Sequence, residues 1–271
     1  MTESKAICQF YRLIDDAPAP ERADRSADGT LPVIAYSYCE AITSASAFGW
    51  YFYPPISFSL VWDGREIGWS YDGGSRWEPL RAAPYPTSPD AFSKIAPLGM
   101  RDLEPTFLAQ GKLPGVVQIW SGYLARTAPG WALLSRGVVN RAPTQPIEEH
   151  ELLGDGELPA QTDDGENAPY ANYEGIIESD SWFGPLFTNV RLMRINSPID
   201  FHINRPFFQA LPILRQCYRN PAFEVLGADA LGPEDWQRFE ATMRPNTDDK
   251  RRPGHYASDT RRRLRREESG Q

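Results

Sequence analysis

Between Val116 and Leu214 the chain reads VVQIWSGYLARTAPGWALLSR (116–136) and then, beyond an acidic segment, YEGIIESDSWFGPLFTNVRLMRINSPIDFHINRPFFQALPIL (173–214). These runs are short, rich in β-branched and aromatic residues, and broken by Gly and Pro, the pattern of successive strands. Leu186 to Met193 alternates, with Leu186, Thr188, Val190 and Leu192 on one side and Phe187, Asn189, Arg191 and Met193 on the other. A period of two places a half-buried strand there. Phe207 to Leu214 is apolar on both faces, as an inner strand would be, and Pro212 puts its end at an edge or bulge.

Working outward, Ala6–Leu13 reads as an opening strand, Val33–Glu40 as extended, and Trp50–Tyr53 as a strand stopped by Pro54-Pro55. Phe58–Trp62 and Arg65–Trp69 flank Asp63-Gly64, a hairpin signal because a tight turn needs residues that tolerate positive φ. Prolines at 84, 86, 89, 97, 105 and 114 exclude a long helix there and leave room for a short one near Asp102–Gln110. Pro233–Met243 is the best helix, with Pro first, Glu234 and Asp235 at the positive dipole end, and Trp236, Phe239 and Met243 on one face. That face is expected to dock on the β core. The organisation that follows is an N-terminal strand and loop (1–32), a β domain (33–230) with an acidic insertion at about 145–170, a docked helix (231–245) and a disordered basic tail (246–271). The fold expected is mainly β, a single-domain barrel or two-sheet sandwich, with a β-clip-like arrangement among the alternatives, and a C-terminal helix.

A chain of 271 residues with 12% aromatic content can bury a substantial core, and 25 prolines favour short elements joined by loops. The three cysteines, Cys8, Cys39 and Cys217, are odd in number and form no CxxC pair, which points to reduced thiols. No secretory signal and no run of membrane-spanning length appear, so a soluble cytoplasmic protein without a membrane span is expected. Net charge is −8, but from Lys250 onward there are eight basic residues against three acids, so the body is acidic and the tail basic. An acidic body argues against nucleic acid as partner except through Arg261–Arg266. The partner expected is a small molecule or another protein, and the cofactor is left unknown.

GYLARTAPGWALL (122–134) and EGIIESDSWFGPLFTNVRLMRINSPIDFHINRPFFQALPI (174–213), with CEAITSASAFGW (39–50) upstream, resemble an uncharacterised bacterial family known only as a domain of unknown function. Many of its members carry His at the positions of Phe48 and Trp120, so any role of such histidines is lost in this chain. The family implies architecture and no activity. The order of segments around Arg136, Gly175–Asp180 and Ile199–Gln209 also resembles trimeric dUTPases and dCTP deaminases, enzymes of the β-clip type. In those enzymes an Asp activates water where this chain has Glu178, and a paired Ser follows Arg where this chain has Gly137-Val138. The analogy reaches the fold alone.

Two groups of residues carry what chemistry the sequence offers. Glu178 and Asp180 stand two apart and, on a strand, would face one side, where paired carboxylates share a proton or bind a cation. The bland alternative is a strand end turning into solvent. Tyr123, Arg126, Trp131, Asn140 and Trp182 form the candidate ligand-binding set, with Arg126 suited to an anion, although Trp131 in a core and Pro129-Gly130 in a turn are the simpler reading. No His or Cys spacing points to a metal site, and a nucleophilic Cys39 lacks a nearby His. The function expected is therefore an accessory β domain that binds a small polar ligand or protein partner. The alternative is an enzyme acting on an anionic, nucleotide-like small molecule through Glu178 and Asp180 with a divalent cation.

Overall fold

The computed structural model describes residues 6–87, 90–141, 168–219, 222–243, 260, 262–263 and 265–267. Most of the acidic insertion and of the basic tail lies outside the described residues. The chain is mainly β: the described residues form three antiparallel sheets and no closed barrel, an arrangement consistent with a sandwich.

The first sheet is built on β9 (Val116–Thr127), a strand of 12 residues. It runs β11 (Tyr170–Tyr173), β13 (Gly184–Leu192), β9, β8 (Leu108–Gln110), β7 (Ala82–Ala83), and β1 (Cys8–Arg12) also pairs with β9. The sequence reads Val116–Trp120 and Tyr123–Arg126 as two runs; they are one strand. Along it β8 pairs with Val117–Ile119 and β1 with Tyr123–Thr127, while β13 follows the opposite edge throughout. The expected alternation of β13 is seen in its burial, with Leu186, Thr188, Val190 and Leu192 buried and their neighbours more exposed.

The second sheet has the order β12 (Gly175–Ile177), β10 (Trp131–Arg136), β15 (Phe208–Leu214), β3 (Trp50–Phe52), β2 (Glu21–Arg22). β15 is an inner strand, as its two apolar faces require. Its Pro212 lies opposite Leu133 of β10, and β3 reaches only Phe208–Ala210, so the missing N–H costs no ladder bond on that side. The third sheet, β14 (Ile199–Phe201), β4 (Phe58–Trp62), β5 (Ile67–Ser70), β6 (Glu78–Pro79), contains the expected Asp63-Gly64 hairpin, with Gly64 at φ +98°.

One hydrophobic core draws on all three sheets: Phe52, Phe58, Leu60, Phe107, Ile119, Trp120, Leu133, Val190, Phe201 and Phe208 are all within it. Aromatic pairs tie the sheets together. Tyr170 of the first sheet stacks on Phe201 of the third at 4.6 Å between ring centroids, and Phe52 of the second meets Tyr123 of the first edge-on at 5.9 Å. Each such pair adds to the area it buries by about 0.5–1.5 kcal/mol. The buried indole of Trp120 donates to the Tyr123 carbonyl at 3.0 Å, so this large ring leaves no polar atom unmatched.

Three expectations are corrected. Val33–Glu40 is not extended: α1 (Val33–Tyr38) and α2 (Glu40–Ser46) are short helices. The β-branched and aromatic residues that suggest a strand are not buried in α1, so burial does not enforce strand pairing there. No helix spans Asp102–Gln110; α3 (Ala91–Ile95) and a 3₁₀ turn at Leu98–Met100 precede, and Leu108–Gln110 is recruited as β8 by β9. The helix at Pro233–Met243, here α5, forms as expected but does not dock. None of its residues is buried, and Trp236 and Phe239 pack on each other at 5.8 Å. A short helix α4 (Gln216–Arg219) follows β15 directly.

Candidate functional site

Glu178 and Asp180 do not share a strand face. β12 ends at Ile177, and the chain then makes a turn in which the N–H groups of Ser181 and Trp182 both donate to the Glu178 carbonyl, at 3.1 and 2.9 Å. The carboxylates therefore diverge. Glu178 receives Arg219 in a forked contact, Nη2 to Oε1 at 2.7 Å and to Oε2 at 2.9 Å, with Nε to Oε1 at 3.0 Å, and the Tyr218 hydroxyl at 3.2 Å. Arg215 stands 3.6 Å away. Asp180 accepts the Gly130 N–H at 3.0 Å and pairs with Arg215 Nη2. The Arg215 N–H in turn donates to the Gly130 carbonyl at 2.9 Å, so this carboxylate fastens the β9–β10 turn to the segment after β15.

The electrostatics follow from these partners. The Arg219 guanidinium, ahead of the opposing desolvation, holds the Glu178 carboxyl below its ordinary value. Burial alone would raise that of Asp180, but the Gly130 N–H and Arg215 together bring it below the usual range. Both groups are ionised near neutrality, and neither shares a proton with the other.

The second candidate group disperses. Tyr123 is buried; its hydroxyl accepts from Arg12 Nε at 2.8 Å and donates to the Pro18 carbonyl at 2.9 Å, so it ties the N-terminal loop to β9. Arg126 lies over the rings of Phe183, at 4.5 Å, and Tyr11, at 5.5 Å, beside a hollow of about 160 Å³. Trp131 opens β10, its N–H donating to the Ala128 carbonyl across the Pro129-Gly130 turn. Asn140, at φ +59°, donates to the Ile42 carbonyl and to Ser46 Oγ, both at 3.1 Å, and so secures the end of α2. Of the seven residues singled out from the sequence, Glu178 and Trp182 line the larger cleft, and the others stand apart from it.

That cleft, about 530 Å³, lies between β12 of the second sheet and β13 of the first. Gly175–Glu178 forms one wall, and Pro185, Phe187, Thr188 and Asn189 form the other. Gln118 of β9 stands directly opposite Asn189 in the ladder, so two side-chain amides occur side by side on adjacent strands, and neither side chain has a hydrogen bond among the described residues. Ser135 of β10 also lines the cleft. It is only 3% exposed, and its hydroxyl has no hydrogen-bond partner among the described residues. Trp182, half exposed, rims the opening. The volume falls in the range of small-molecule sites, and the lining combines aromatic surface with a few polar groups.

Gln118, Ser135, Phe187 and Asn189 were not singled out from the sequence. A signal was present, since Phe187 and Asn189 fall on the outward side of the alternating strand, and Gln118 is the one polar residue in VVQIW. Their convergence depends on the β9–β13 register and on β12 joining the other sheet, which no local pattern encodes. Among the described residues no group of three or more His, Cys, Asp or Glu side chains could hold a metal ion, and no helix is long and apolar enough to cross a membrane. No family model matches the chain, and no curated protein does.

Proposed function

We propose that this protein is a binding module that recognises a neutral, polar ligand, free or displayed by a partner protein, in the cleft between β12 and β13. The observation that carries the reading is the Ser135 hydroxyl, buried in the cleft without a hydrogen-bond partner among the described residues, beside the adjacent amides of Gln118 and Asn189. A buried unpaired hydroxyl costs about 1–3 kcal/mol, which a ligand supplying the missing bond recovers. Amide and hydroxyl groups both donate and accept, so they suit a neutral ligand with both kinds of group, while Trp182 and Phe187 cover its apolar side.

The carboxylate-centred alternative draws no support from this geometry, because Glu178 and Asp180 are each taken up by an arginine. A cytoplasmic setting belongs to the same proposal and accords with three cysteines that are all free thiols. The test is a thermal-shift screen of small neutral amides, nucleosides and sugars against the full chain and a Gln118→Leu/Asn189→Leu variant. A ligand that binds the native state raises Tm in proportion to its saturation. Stabilisation of the wild type that disappears in the variant is expected; stabilisation that persists unchanged in the variant, or none with any compound, refutes the reading.

A further inference from the structure

Resting on that reading of the cleft and extending it, we propose that the occupant is an extended peptide captured by β-strand addition. The segment from Tyr170 to Ile177 leaves one sheet for the other. Its first part, β11, pairs with Asn189–Leu192 of β13, and its second part, β12, pairs with Leu133–Ser135 of β10. Where the segment departs, β13 loses its outer neighbour. From Thr188 back to Gly184 it has β9 on one side and, among the described residues, no strand on the other. β12 is likewise an edge, with β10 as its one partner. Two open strand edges thus form the two walls of one cleft. Rows of unpaired backbone N–H and C=O groups are a template for another strand, which a compact small molecule would leave unused.

The walls also set length and side-chain preference. β12 turns the N–H and C=O of Ile176 toward the cleft, because Gly175 and Ile177 bond to β10, and the Glu178 N–H adds a third group, a stretch of roughly 7 Å at the rise of a strand. On the facing wall Pro185 has no N–H, the register shifts between Pro185 and Phe187, and the Thr188 backbone faces Ile119 of β9, so pairing there is confined to Phe187. Side chains of an added strand alternate. Those directed inward meet Ser135, Gln118 and Asn189, which favours Ser, Thr, Asn or Gln, and a flanking position lies against Trp182, which favours an apolar residue. Glu174 and Glu178 border the site, and Arg219 offsets only the second, so an acidic peptide is disfavoured.

The experiment is a selection of random heptapeptides displayed on phage against the full-length chain. The best peptide is then synthesised unmodified and in two forms, each N-methylated at alternate residues. Affinity is read by fluorescence polarisation, and the bound region by hydrogen–deuterium exchange. Expected are a neutral or basic peptide that alternates polar and apolar residues, binding at least tenfold weaker in one or both N-methylated forms, and slowed exchange at Ile176, Glu178 and Phe187. Equal affinity of all three forms, slowed exchange elsewhere, or a dimer that protects the same amides without peptide overturns the proposal. So does the absence of any selected peptide. In that last case small compounds whose stabilisation depends on Gln118 and Asn189 leave the cleft a polar binding site without strand addition, whereas their failure removes both.

Discussion

Gly49 sits where two distant parts of the chain meet, and replacing it by Ala separates two costs that usually come mixed. Its φ is +94°, and a Cβ built there falls 2.2 Å from the Ala210 carbonyl oxygen and 3.0 Å from Leu211 Cγ. Ala210 is fully buried in β15, the inner strand of the second sheet. The backbone term, an L-residue held in left-handed space, is about 1–2 kcal/mol. The contact is short by ~1 Å, and forcing extra atoms into a packed core adds about 1–3 kcal/mol. The total is roughly 2–5 kcal/mol, a large fraction of a typical stability of about 5–15 kcal/mol. For a chain of this size that lowers Tm by roughly 4–20 °C. Gly64 is the control: its φ is +98°, and nothing lies within 4 Å of an added Cβ. Gly64→Ala therefore carries the backbone term alone, about 1–2 kcal/mol. Urea unfolding followed by far-ultraviolet circular dichroism compares the two variants with the wild type. A Gly49→Ala cost within ~0.5 kcal/mol of the Gly64→Ala cost would refute the packing of Gly49 on β15.

Two further outcomes are expected. The Asp180→Asn/Glu178→Gln variant is less stable than the wild type at pH 5, and the gap narrows by pH 3. The carboxyls of both residues are held below their ordinary values in the fold, so their contribution is present above the ordinary range of about 4 and is lost as pH falls through the lowered values. Urea midpoints at the two pH values check this, and a gap that widens toward pH 3 contradicts the ion pairing. Second, burial raises the Cys8 thiol to about 11, whereas Cys217 is exposed. Under native conditions at pH 8, iodoacetamide modifies Cys217 well before Cys8, read by mass spectrometry of peptides; equal rates would mean that β1 does not shield Cys8.

The strands were legible because their signal is local. Alternation in Leu186–Met193 and the double-faced apolar run at Phe208–Leu214 both reflect which sides of a strand are covered. Val33–Tyr38 shows where that logic stops. Its residues favour strands, yet none of them is buried, so propensity alone did not decide. Trp236, Phe239 and Met243 do share a helical face, but a periodic stripe says only that a face exists and not what covers it. Glu178 and Asp180 look like a pair when read in order. Arg215 and Arg219, brought back by α4 after β15, claim them separately, and that encounter lies about 40 residues away in sequence. The cleft was hidden for the same reason, because Gln118 and Asn189 are neighbours only through the ladder.

The position of β15 has a consequence for how the chain acquires its structure. This late strand fills the centre of the second sheet, between β10 and β3, and β13 completes the outer flank of β9 only shortly before it. A nascent polypeptide emerging from the ribosome can zip local hairpins such as β4–β5, but it cannot complete the first sheet until synthesis has passed Leu192, nor the second until it has passed Leu214. Pairings between such remote segments are slow to form. Until then, apolar surfaces of Phe52, Leu133 and Val190 stay uncovered, so chains halted before β15 would be substrates for holding chaperones rather than smaller stable domains.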